Sequence, residues 1–198
     1  RIILYTSRNI RVSKREIQDS TYHFRSEDEI KNFRSDPDRY IVAQVRSDWQ
    51  AIDMEEVKEI LIANDQVMVE VYPTLGQQLL EWIKHHPEFD LFKIKTVAIV
   101  PMDDAEIDIA AELFGTSRED VVYRAIKGKL ERRASESDTP EKIEERALLA
   151  YSEIEMMREY DYTIVSHRGE DRQQEWSIPL HSTTQSVVDQ FWTIINMK

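Results

Sequence analysis

Cysteine is absent from this chain, which excludes disulfide frameworks, thiolate metal sites and thiol nucleophiles. Glycine is nearly as scarce. Gly76, Gly115, Gly128 and Gly169 are the only four, and no two are spaced for a G-x-x-x-x-G-K-[ST] loop or a G-x-G-x-x-G turn. No apolar run approaches the roughly 18 residues of a membrane-crossing helix, so no membrane partner is expected. Positive charge is also short: 26 Lys and Arg stand against 38 Asp and Glu, a net charge of −12. A general nucleic-acid binder needs a basic footprint, so no nucleic acid is expected either. The chain opens at Arg1 without an initiating Met and runs straight into Ile2-Ile3-Leu4-Tyr5-Thr6, so no signal peptide is expected. The expectation is a piece of a longer, cytoplasmic protein whose upstream residues are missing.

What is present fits a folded domain. The 198 residues are 41% hydrophobic and 32% charged, enough for one sizeable core. Charge is uneven. Residues 1–15 hold Arg1, Arg8, Arg11, Lys14 and Arg15 without an acid, a local +5 that leaves −17 on the other 183 residues. A basic cluster on an acidic chain reads as a local anion site or as an exposed basic loop.

Strands are expected at Ile2–Thr6, Thr21–Phe24, Tyr40–Val45, Val67–Val71, Lys95–Val100 and Tyr162–Val165. Helices are expected from the Ser26-Glu27-Asp28-Glu29 capping box to Ser35, from Asp53 to Ala63 and from Gln77 to His85. Further helices are expected over Asp103–Phe114, Arg118–Arg133, Pro140–Glu159 and Thr183–Asn196. Thr139 is a good N-cap, and Pro140 suits the first helical position. From Val67 onward strands and helices alternate, which predicts βαβ units and an α/β architecture with a parallel sheet. His85 and His86 are adjacent, diverge by about 100° on a helix and make a poor metal pair, so no metal ligands are expected.

Four stretches in order resemble the guanylate kinase family. Thr6-Ser7-Arg8-Asn9-Ile10-Arg11, followed by Thr21-Tyr22-His23-Phe24, resembles its S/T-T-R-x-x-R segment and following D-Y-x-F. Val69-Glu70-Val71 through Gly76-Gln77 resembles its acidic strand end and glycine. Thr96 to Pro101 resembles a strand ending in proline. Thr139 to Arg146, Glu153 and Tyr160-Asp161-Tyr162-Thr163-Ile164-Val165 resemble the lid-closing helix and the Y-D-Y strand.

The resemblance implies a P-loop kinase-like parallel sheet flanked by helices, in a single domain over residues 1–198. Within it, 8–65 would be a small acceptor-binding subdomain, 66–117 and 147–198 the core, and 118–146 a helical lid with an insertion. The family's P-loop lies upstream of the S/T-T-R segment. That implies about 30 missing residues and a fragment without activity of its own.

Phosphoryl transfer asks for two anionic substrates held in line and positive charge over the transferring group. Arginine serves because its planar fork binds phosphate oxygens in pairs. By resemblance Arg8 and Arg11 grip the acceptor monophosphate and the Tyr22 hydroxyl adds a bond. Tyr22 also reads as a ring packed at a strand edge. Arg146 is the candidate catalytic lid arginine, together with Arg133 or Arg132; it reads equally as a member of a helix ion pair. Glu70 is expected at the end of a buried strand, binding magnesium through water or orienting the acceptor, or simply taking backbone hydrogen bonds. Mg2+ with ATP is the implied cofactor pair.

The departures concern the base. Ile41 or Val42 falls where a guanine-reading glutamate is expected, and Ala51 or Ile52 where a hydroxyl is expected. Gln50 replaces a phosphate-binding tyrosine. An apolar group cannot satisfy a guanine N–H, so the usual base discrimination is weakened and the acceptor base stays open. Gln44, Asp48, Gln50 and Asp53 are left as other base contacts. Two readings follow: a guanylate-kinase-type nucleoside monophosphate kinase acting on GMP or a related monophosphate, or a non-catalytic module of that fold holding a phosphorylated protein partner.

Overall fold

The computed structural model describes residues 1–11, 16–64, 66–133, 139–167 and 176–197; Lys14 and Arg15 lie outside them. The chain divides into two compact units, Arg1–Phe92 and Lys93–Lys198.

The first unit is built on a mixed four-stranded sheet. Its strands are β1 (Tyr5–Thr6), β2 (His23–Phe24), β3 (Tyr40–Val45) and β4 (Asp48–Asp53), in the order β2-β1-β4-β3. β1 is parallel to β2 and antiparallel to β4. β3 and β4 form a hairpin whose register runs from Tyr40 opposite Asp53 to Val45 opposite Asp48. The two faces of the sheet bury different clusters, as a period of two requires. Ile2, Leu4, Ile41, Ala43, Val45, Ile52 and Met54 join Leu75 and Phe89 on one side. Trp49 and Ala51 join Ile30 on the other, with Tyr5, Phe33 and Val42 packed against them.

Helix α1 (Glu27–Asn32) opens on the expected capping box: the Glu29 amide donates to Ser26 Oγ at 3.3 Å, and the Ser26 amide to Glu29 Oε2 at 2.8 Å. It closes in a 3-10 turn, Phe33–Ser35. Helix α2 (Met54–Ala63) starts from Asp53, whose carboxylate accepts the Glu55 and Glu56 amides. Helix α3 spans Pro73–Lys84 and so begins four residues before Gln77; Pro73 presets the helical φ at the first position.

Four strand expectations change, the mildest being Lys95–Val100, of which only Val97–Val100 is strand. β1 and β2 shrink to two residues each. β4 was not expected, because Asp48, Gln50 and Asp53 interrupt its apolar pattern. Val67–Val71 is extended but belongs to no strand; its described backbone bond is Ile2 N donating to Met68 O at 3.1 Å. Val67, Val69 and Val71 still turn to the core while Met68 and Glu70 are exposed, so the segment keeps strand periodicity without a ladder.

The second unit holds β5 (Val97–Val100) and β6 (Tyr162–Val165), a parallel pair joined through α4 (Asp104–Phe114), α5 (Arg118–Arg133) and α6 (Pro140–Met156). α4 begins on an Asp103–Glu106 capping box and ends at Gly115, whose φ of 60° is the left-handed C-cap that glycine adopts without strain. Arg118 bonds Asp104 and Asp108, tying α5 to α4. Ile107, Val121, Val122 and Ala150 form the core between these helices. Helix α6 ends at Met156 rather than Glu159, and α7 (Ser182–Asn196) follows β6. The fold is mixed α/β. Among the described residues there are seven α-helices, and none is long and apolar enough to cross a membrane.

Candidate functional site

The basic loop after β1 is anchored at its root. Ser7 N donates to Trp49 O at 2.9 Å, Trp49 N donates to Ser7 Oγ at 2.8 Å, and Arg8 N reaches Thr6 Oγ1 at 3.4 Å. These bonds fix where the Arg8 side chain starts. Its guanidinium then lies over the Tyr22 ring, 4.6 Å from the centroid, and 5.3 Å from that of Phe24. Tyr22 also packs on the sheet core, which is the packing role expected for its ring.

The fork is closed by a carboxylate. Arg8 Nη1 donates to Glu16 Oε2 and Nη2 to Glu16 Oε1, each at 2.7 Å. The Arg11 amide donates to Glu16 Oε2 at 2.8 Å, and the Glu16 amide reaches Arg11 O at 3.4 Å. Both side chains are largely buried, 13% exposed for Arg8 and 9% for Glu16, so solvent screens the pair weakly. Burial opposes ionisation of Glu16. The Arg8 fork and the Arg11 amide outweigh it and hold the carboxyl below the usual carboxylate range. Burial likewise opposes the charge on Arg8, and Glu16 overcomes it.

One anion, three donors and an aromatic floor thus meet in one place. A phosphate monoester offers the fork the same pair of oxygens that Glu16 offers. Glu16 itself escaped sequence reasoning. It is the first acid after five cations, and that position was its signal.

Gln50 lies directly opposite Thr6 in the ladder, one step from the loop root. It is 6% exposed, and among the described residues its Oε1 has no hydrogen-bond partner. Glu70 is not at the end of a buried strand. Its side chain is 80% exposed and 4.0 Å from Arg1.

Of the positions where the resemblance expects base contacts, Val42 is half-buried and the others are covered. Ile41, Ala51 and Ile52 are buried, and the cluster that holds Ile41 and Ile52 is packed by Leu75, Leu79, Trp82 and Ile83 from α3. Asp53 is committed elsewhere. Arg39 Nη2 donates to its Oδ2 at 2.7 Å and Arg39 Nε to both oxygens at 3.2 Å, while Oδ1 caps α2. Gln44 is exposed.

The arginines foreseen for the lid sit in the second unit: Arg132 and Arg133 in the last turn of α5, Arg146 in α6. None of the three is without a partner. Arg132 folds back along its helix, since a Cβ on Gly128 would meet its Nη1 at 3.3 Å. Among the described residues no three His, Asp or Glu are grouped to hold a metal.

No protein-family model matches this chain, and no curated protein matches it. Among solved structures it is similar to the crystal structure of guanylate kinase from Anaplasma phagocytophilum, with a TM-score of 0.56. The identity is 14%, over 100% of this chain and 76% of that one. At such identity the likeness is one of fold: a mixed α/β architecture resembling that of a guanylate kinase.

Proposed function

We propose that this chain carries the acceptor-phosphate grip of a guanylate-kinase-type nucleoside monophosphate kinase. The carrying observation is the closure of Arg8 and the Arg11 amide on a single carboxylate above the Tyr22 ring. In this reading Arg8, Arg11 and Tyr22 hold the monophosphate of the acceptor. Arg146, with Arg132 or Arg133, supplies positive charge to the transferring phosphoryl.

The residues present do not fit a Mg2+–ATP cradle: the sequence has no G-x-x-x-x-G-K-[ST] loop. We assign that part to a strand and P-loop preceding Arg1. Among the described residues β5 pairs with β6 alone, and Ile99 in its middle is 57% exposed. An edge and an apolar side chain open in this way suit a further parallel strand and its helix, the core of a P-loop kinase.

The buried, apolar surroundings of Ile41 and Ile52 favour weak selection among bases, and they also favour the second reading, a phosphate-binding module without catalysis. Phosphoryl transfer separates the two. A chain extended by its native upstream residues is incubated with ATP, Mg2+ and the common nucleoside monophosphates. Diphosphate formation that Arg8→Ala abolishes supports the kinase. No transfer to any of them sinks it and leaves the module.

A further inference from the structure

We propose that the free edge of β3 is a docking groove for an extended partner peptide, which adds as a further strand and seats one apolar side chain and one carboxylate.

The register decides which backbone groups face outward. Ser7 N donates to Trp49 O, so odd positions of β4 turn toward β1. Met54 N donates to Arg39 O at 2.8 Å, so even positions turn toward β3. The cross-strand partners of Asp48, Gln50 and Ile52 are Val45, Ala43 and Ile41. It follows that the amides and carbonyls of Val42 and Gln44, with the carbonyl of Tyr40, point away from the sheet. The Tyr40 amide is already used by Asp36 O at 2.9 Å. Among the described residues no strand pairs with this edge. Sheets normally blunt such an edge with lysine, proline, a bulge or a covering loop. Val42 and Gln44 provide no such device.

A cavity of about 270 Å³ runs along the same edge. Ile41 and Val42 point to opposite faces of β3, yet both line it, so it opens beside the strand and not over one face. Gln78 and Trp82 of α3 form one wall; Arg34 and Pro37 form the other. The Trp82 indole N–H is spent on Pro37 O at 3.1 Å, which leaves the ring as apolar surface. Arg34 lies 4.2 Å from the Trp49 ring centroid, and among the described residues no carboxylate pairs with it. It is the one charged residue lining the cavity.

A helix beside an open strand edge is a recurring peptide-binding geometry, in which main-chain bonds give affinity and alternate side chains give specificity. Arg34 sets the sign of the charge that this groove pairs with. The occupant is therefore an extended peptide with one apolar residue placed in this cavity and an acid placed to meet Arg34. This groove is separate from the Arg8 grip, and its test does not depend on that reading.

Random decapeptides displayed on phage are selected on the whole chain, and enriched sequences are synthesised. One apolar residue with an acid at a fixed offset is expected. Bound peptide should slow amide exchange at Val42 and Gln44 at least tenfold. Arg34→Glu should weaken binding at least tenfold, and Arg8→Ala should leave it unchanged. Val42→Pro removes the outward N–H while sparing the ladder to β4; if that variant fails to fold, N-methylation of the peptide removes the matching donors instead. The proposal is overturned if no peptide is enriched, if binding survives Arg34→Glu, if protection falls on other amides, or if Val42 and Gln44 are already protected in a concentration-dependent dimer.

Discussion

Arg8 and Glu16 close on each other through two parallel 2.7 Å bonds, eight residues apart in a loop otherwise dominated by cations. If Arg8 holds a monoester as proposed, the carboxylate fills the place the phosphate would take, so an incoming monoester must displace it or share the fork with it.

Glu16→Gln keeps the shape and removes the competing charge. We expect affinity for inorganic phosphate to rise about tenfold, which is about 1.4 kcal/mol. The same variant should lose about 3 kcal/mol of stability, because a largely buried guanidinium loses its counter-ion. Calorimetric titration and urea unfolding measure the two effects separately. A fall in affinity as large as that of Arg8→Ala would mean that Glu16 builds the site and does not compete for it.

Asp53 contributes to acid stability. Burial opposes its ionisation, but the Arg39 fork and the α2 amides hold its carboxyl below the usual range. A carboxyl held low stabilises the fold at every pH above its unfolded value, about 4, and that contribution is lost as pH falls through the folded value. Asp53→Asn should cost about 2 kcal/mol at pH 7 and flatten the decline in stability between about pH 5 and pH 2. Chemical denaturation across that pH range is the check.

Ile41→Glu puts a glutamate at one of the two positions, Ile41 or Val42, where the resemblance expects one for reading guanine. Ile41 is 5% exposed in an apolar cluster, so the new carboxylate has no partner. A loss of about 3 kcal/mol or more is expected, with no gain of GMP over AMP. A folded variant that prefers GMP would show that this face opens to the base.

Much of the helical structure was legible because its signals are local. Ser26 with Glu29, Asp53 ahead of Glu55 and Glu56, and Thr139 before Pro140 each mark a helix start within four residues. Strand β4 was hidden because Gln50 is buried in the sheet despite its polarity, and only the pairing with Thr6 and Ala43 puts it there. Val67–Val71 misled in the opposite sense: its apolar run is real, but a strand also needs neighbours for its amides. Arg8, Arg11 and Tyr22 were visible as residue types at a telling spacing. Glu16 was not, because its role depends on how the loop folds back, which spacing alone does not dictate.

Ile99 probes the proposed parallel core. Ile99→Lys should change the stability of this chain by less than about 0.5 kcal/mol, since the side chain is 57% exposed. In a chain extended by the proposed upstream strand and P-loop the same substitution should cost about 3 kcal/mol, because a buried lysine then replaces a core isoleucine. Equal effects in the two chains would argue against a strand or helix covering β5.

The central claim is that Arg8 holds a phosphate monoester, and it is tested most directly by titrating the chain with GMP, AMP and a phosphoserine peptide, each against Arg8→Ala. Saturable binding of at least one monoester, weakened about 30-fold or more by Arg8→Ala and absent for the unphosphorylated counterpart, is the predicted result, about 2 kcal/mol for a charge-assisted pair of bonds. Binding that is indifferent to Arg8, or no binding of any phosphate, would contradict it.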